Sequence, residues 1–168
     1  MSSKVNFKII KSQLIQYMDK VKTNDPFPYP LQAGSSGSMY GSCFAALTAE
    51  LLNYELPDSE KIKALLLENM DSVTGMVNNS EFKNEAFPEE RSHDQVYLDL
   101  QTSYFARSAL YALGEIKLPP VHFAYELAEK NEVYHWLDNL DWGEPWLVSN
   151  LDMFLGIFLL EHQEKSPN

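Results

Sequence analysis

The single cysteine of the chain, Cys43, follows a Gly/Ser-rich stretch in GSSGSMYGSCFAAL (34–47), at the start of an apolar helical pattern. Free N–H groups and the macrodipole at a helix N-terminus lower a thiol's pKa and favour the nucleophilic thiolate. A thiol hydrolase or acyltransferase built on Cys43 needs a histidine held by a carboxylate or amide. The candidates are His93 beside Asp94, and His135 ahead of Asp141 and Asp152. The competing reading is a small buried hydrophobe on a helix face shared with Phe44 and Leu47, the commoner use of a lone cysteine.

A second concentration of chemistry is WLDNLDWGEPWLVSN (136–150), with Trp136, Trp142 and Trp146 among Asp138, Asp141, Glu144 and, just beyond, Asp152. Paired carboxylates across a sugar are what a glycosidase needs, and indole faces are platforms for sugar rings. The same residues suit a connection between helices: Asp141 or Ser149 as a cap, Pro145 in a first turn, the tryptophans sealing helix ends. The connection is the first reading, ligand contact the second. A further candidate is the stripe Tyr97, Gln101, Tyr104, Ser108 and Tyr111, whose tyrosines offer large contact area with polar tips. It serves either as a recognition surface or as an inter-helix seam. For metals the pattern is poor, because His93, His122, His135 and His162 are scattered, with no pair at i,i+4. Glu89, Glu90, His93 and Asp94 read as a solvated loop entering a helix, and we expect no metal and no cofactor.

The elements that must carry these residues are helical. Apolar residues recur three and four apart almost throughout, without period-two strands between turn signals, so the fold class is all-α. The spacing predicts helices over about 4–22, 39–54, 93–113, 120–130, 132–139 and 145–163, with another after an Asp58 N-cap bearing Ile62, Leu65, Leu66, Asn69 and Val73. The first has Ile10, Leu14, Tyr17, Met18 and Val21 on one face. The second packs Tyr40, Cys43, Phe44, Leu47 and Leu51, and the last is apolar nearly all round and should be covered on more than one face. Two long connections, 23–38 and 74–92, are candidate functional loops, the first also readable as a structural strap.

At 168 residues the chain is expected to form one domain. Its net charge of −11 opposes binding to phosphate backbones and anionic headgroups, which leaves a basic protein surface or a neutral glycan-like ligand as the expected partner. One cysteine precludes an internal disulfide. The N-terminus lacks the apolar core of a signal peptide, and the longest apolar run, MFLGIFLL, is too short for membrane insertion. The expectation is a soluble protein of the cytoplasm.

Residues 40–75 read as apolar helix, Pro-containing link, second helix. Residues 97–137 repeat that order, and 145–161 open another unit. On LQTSYFARSALYALG (100–114), Thr74-Gly75 and SNLDMFLGIFLLE (149–161), covering about half the chain, the sequence resembles the α/α-toroid proteins, which include glycan-processing enzymes and the terpene-cyclase and prenyltransferase repeats. The resemblance implies stacked antiparallel helical hairpins in a partial ring, since the helices are too few for a complete one. As an enzyme, such a ring would act on a glycan or its precursor. GSCFA is similar to the nucleophile region of papain-like and transglutaminase-like enzymes, which implies a sheet carrying the histidine, and no such sheet is legible here. The reading that accommodates most of these features is an acidic helical binding module of the inhibitor or immunity type, without catalysis. Its recognition surface would combine the tyrosine stripe with the two long loops.

Overall fold

The computed structural model describes residues 6–77 and 95–165. Within them the helices are α1 (Phe7–Val21), α2 (Met39–Leu51), α3 (Ser59–Glu68), α4 (Gln95–Ala112), α5 (His122–Glu129), α6 (Val133–Asp138) and α7 (Pro145–Lys165). The all-α expectation holds: the described residues contain no strand, only an isolated bridge between Met70 and Val77. The starts and stops follow from local chemistry. Asn6 and Ser38 cap α1 and α2 by accepting from the Lys8 and Gly41 amides, and Gly114, at φ +82, turns the chain out of α4. Asp58 precedes α3 as expected but does not cap it with its side chain. Its carboxylate instead pairs with Lys22 at 2.6 Å and accepts from the Tyr29 hydroxyl at 3.4 Å.

Helix α4 is the centre of the molecule, packed on one flank against α2 and on the other against α7. Its small residues permit this, because Thr102, Ser103, Ala106 and Ala109 are buried to the backbone and let two neighbours approach. The contacts also fix direction. Tyr40 meets Gln101 and Phe44 meets Phe105, both pairs 61 positions apart, so α2 and α4 run parallel. Tyr97 with Asn150 and Arg107 with Glu161 lie 53 and 54 apart, so α4 and α7 are parallel too. Helix α3 packs on α2 and α4, while α5 packs on α7 and α6. A run of ring contacts crosses the three parallel helices, from Phe44 to Phe105 (5.0 Å), Tyr104 (5.1 Å) and Phe154 (5.1 Å).

At the α4–α7 seam the Arg107 guanidinium, 1% exposed, is bonded on every side. Its Nε donates to Glu161 at 3.0 Å and its Nη2 to the same carboxylate oxygen. Its Nη1 donates to the carbonyls of Gly75 (3.0 Å) and Pro119 (2.8 Å). Gly75 must be glycine, since its φ is +68 and a Cβ there would lie 2.1 Å from the Pro120 carbonyl oxygen. The start of the expected 74–92 loop is therefore fixed through residue 77, with Val77 fully buried. The rest of that loop, with Glu89, Glu90, His93 and Asp94, lies outside the described residues.

The 23–38 connection is a strap, the structural alternative of the two readings. Thr23 donates its amide to the Pro28 carbonyl, the Tyr29 amide donates to Ser42 Oγ, the Gly37 amide donates to Asp25, and Lys61 reaches the Asp25 carbonyl. Only its tip, 31–36, is exposed throughout. The first two helices depart from expectation. In α1 only Met18 is buried, while Ile10, Leu14 and Tyr17 face solvent; in α2, Phe44 and Leu51 are exposed. The periodicity marks an apolar face correctly, but the described residues cover it only in part: Met18 is buried and Phe44 meets Phe105, while Ile10, Leu14, Tyr17 and Leu51 stay open. Val73 likewise sits beyond α3 and is exposed.

Removing one side of the buried ion pair leaves the other charge desolvated, which costs about 3–5 kcal/mol. Arg107→Ala and Glu161→Ala should each lower the urea midpoint accordingly, and the paired change Arg107→Met with Glu161→Leu should destabilise less than either. Asp25 is held below the usual carboxylate range, first by the Gly37 amide and then by Thr23. A depressed folded-state pKa stabilises the protein above the unfolded value, and the contribution disappears as pH falls through the folded one. Asp25→Asn should therefore flatten part of the acid limb of stability, and carboxyl NMR should give Asp25 a midpoint below the usual carboxylate range.

Candidate functional site: an acidic aromatic surface

Cys43 sits one turn into α2, fully buried among Tyr40, Ala46, Ala109 and Leu110. Burial drives its thiol pKa well above the ordinary value, outweighing the helix terminus expected to lower it. The Gly/Ser richness around it is used in packing. Ser38 caps α2, Ser42 accepts from the Tyr29 amide, and a Cβ on Gly41 would lie 2.2 Å from the Tyr29 carbonyl oxygen. Of the proposed partners, His93 and Asp94 lie outside the described residues. His135 is exposed on α6 against Asn139, and Asp141 and Asp152 are exposed. Among the described residues no histidine joins the apolar cluster that holds the thiol, and the side chain is packed there as a small buried hydrophobe.

The tyrosine stripe is likewise a seam. Tyr97 is 3% exposed, and its hydroxyl accepts from Gln101 Nε2 and Asn150 Nδ2, each at 3.1 Å. Gln101 Oε1 in turn accepts from the Tyr40 hydroxyl at 2.6 Å. Tyr104 is half-buried between Phe105 and Phe154. Tyr111 is half-buried beside Glu161 and Arg107, and desolvation first, then the Glu161 charge, raises its pKa. The polar tips of Tyr97 and Gln101 are thus paired within the seam, while Tyr104, Ser108 and Tyr111 stay partly exposed.

What remains open is the stretch that joins α6 to α7. Trp136 packs edge-on against Phe123 and is half-buried, a sealing role. Trp142 and Trp146 are 56% and 76% exposed, and Tyr134 on α6 is more exposed still. Asp141 organises the turn by accepting from the Gly143 amide at 2.9 Å, and Pro145 opens α7 as expected. On α7 the core face is Val148, Leu151, Phe154, Leu155 and Phe158. Trp146, Met153 and Leu160, seven residues apart, lie exposed on the far side. In the same stretch of sequence Glu132, Asp138, Asp141, Glu144 and Asp152 are all exposed, and the sequence has no Lys or Arg between Lys130 and Lys165. The surface is thus anionic with large apolar residues that nothing described covers. Among the described residues, the expectation that α7 would be covered on more than one face is not met.

No helix of the described residues is long and apolar enough to cross a membrane. No group of three or more His, Cys, Asp or Glu among them could hold a metal ion. No family model, curated protein or solved structure matches this chain.

A buried thiol reacts through opening of the fold. Alkylation of Cys43 with iodoacetamide near neutral pH should be slower than that of a free thiol by at least about a hundredfold, and should become ordinary in denaturant; fast, selective labelling of the native chain would restore the nucleophile reading.

Proposed function

We propose that this protein is a non-catalytic binding module, of the inhibitor or immunity type, that holds a basic protein surface against the 132–153 face. The observation that carries the reading is the pair of exposed indoles, Trp142 and Trp146, set among five carboxylates with no cation nearby in sequence. Tryptophan is the residue most enriched at binding hot spots, and acids around it speed encounter with a cationic partner. The chemistry elsewhere agrees, since the Cys43 thiol is buried and the Tyr40 and Tyr97 hydroxyls are engaged with Gln101. As architecture we propose stacked hairpins, with α2–α3 and α4–α5 as two units and α7 opening a third. Support comes from the parallel run of α2, α4 and α7, which requires a return segment between each pair, and from α3 and α5 lying against those helices.

A partial toroid enzyme working on a glycan remains the second reading. Its support is the proximity in sequence of Asp138, Asp141, Glu144 and Asp152 to the same indoles, but all four are solvent-exposed, where a glycosidase acid needs a site that raises its pKa.

The test uses a helical Leu/Lys peptide as a cationic apolar probe, followed by tryptophan fluorescence. Saturable binding with a blue shift is expected, with association slowing steeply as salt rises while dissociation changes little. Trp142→Ala with Trp146→Ala should weaken it by about thirtyfold, the weight of a hot-spot residue. Binding that ignores these substitutions, or ignores salt, would overturn the reading.

A further inference from the structure

Helix α1 is the chemical complement of the 132–153 face. Phe7, Ile10, Leu14 and Tyr17 form an a/d-spaced stripe, and all four are exposed, Phe7 at 79%. Over residues 6–22 four lysines stand against Asp19, a cationic segment on a chain of net charge −11. Its packed side is narrow. Met18 enters the core beside α2, Lys11 donates to the Asn53 carbonyl, and Lys22 pairs with Asp58. The apolar stripe is centred about a quarter-turn from that side.

The two faces match in kind, in length and in sign. From Phe7 to Tyr17 the stripe is about 15 Å long, and from Trp146 to Leu160 the α7 face is about 21 Å, so one accommodates the other. Both are rows of large apolar residues at helical spacing, one flanked on α1 by Lys11 and Lys20, the other flanked on α7 by Asp152 and preceded in sequence by Asp138, Asp141 and Glu144. Within one chain they do not meet. Met18 belongs to the apolar cluster built from α2, α3 and part of α4, while α7 belongs to the cluster it forms with α5 and the start of α4.

We infer that the occupant of the anionic aromatic face is α1 of a second copy of this chain, laid across Trp146 and Met153 with its lysines over the carboxylates. The inference rests on the reading of that face as the binding surface and names its partner. Each copy carries one donor helix and one acceptor face. Two such contacts related by a two-fold axis close a dimer, and the charge pairing offsets the repulsion between two acidic chains.

Sedimentation of the full chain at micromolar concentration should give a dimer that dissociates at high salt. Leu14→Glu with Tyr17→Glu in one variant, and Trp146→Glu with Met153→Glu in another, should each weaken self-association at least about tenfold. All four positions are exposed, so far-ultraviolet circular dichroism and the melting temperature should stay near those of the parent. The decisive arm mixes the two variants. One keeps an intact face and the other an intact α1, so an equimolar mixture should form a one-to-one heterodimer more tightly than either variant pairs with itself. A parent chain that stays monomeric overturns the inference, as does a mixture no tighter than its components. If the chain is monomeric yet the Leu/Lys peptide binds and requires Trp142 and Trp146, the binding face stands and only the second copy is excluded as its partner.

Discussion

The arrangement depends on satisfying one buried cation. A guanidinium withdrawn from water must find an acceptor for each of its edges or it destabilises the fold by several kcal/mol. Arg107 finds them on three separate segments: the carboxylate of Glu161 on α7, the carbonyl of Gly75 after α3, and that of Pro119 before α5. Gly75 can present its carbonyl only because a glycine tolerates a positive φ and the Pro120 backbone pressed against it. The ion pair places Glu161 opposite Arg107, and together with the pairing of Tyr97 and Asn150 it fixes the register and the parallel direction of α4 and α7.

With that register fixed, the remaining contacts fall into place. Phe154 lands between Tyr97 and Tyr104, Asn150 meets the Tyr97 hydroxyl, and Gln101 bridges on to Tyr40 of α2. The polar tips of Tyr97 and Gln101 are thereby paired inside the seam. The same docking turns Trp146, Met153 and Leu160 outward, because a helix that buries Val148, Leu151, Phe154 and Phe158 must present the opposite face to solvent. Large apolar side chains thus stay open on the back of α7, while the Cys43 thiol and the Tyr97 hydroxyl are withdrawn into the core.

Charge is divided between the two ends of the chain in a similar manner. The first helix is cationic and the 131–163 region has no cation, although the whole chain is acidic. A net charge averages such segments away, and so the total of −11 says little about what either face attracts. Each face is defined by its local sign together with the apolar residues it leaves uncovered.

Much of this was legible in the residues alone. The three-and-four spacing dictated helices, and their limits fell close to the observed ones because Asn6, Ser38, Gly114 and Pro145 act through their own backbone neighbours. The tryptophan and carboxylate cluster at 136–152 could be named in advance, since it is contiguous. What the residues could not decide was which apolar face finds a partner. Ile10, Leu14 and Phe44 carry the same periodic signal as Ile62 or Leu151, and burial depends on which helix comes to lie against them. The role of Arg107 was hidden for the same reason. Its acceptors are 32, 12 and 54 residues away, and an arginine amid small residues on a helix reads as an exposed charge until three distant segments close around it. Cys43 shows the limit most directly: its position in α2 predicts a lowered pKa, but desolvation by residues from other helices sets the result, and only the tertiary structure brings those residues to it.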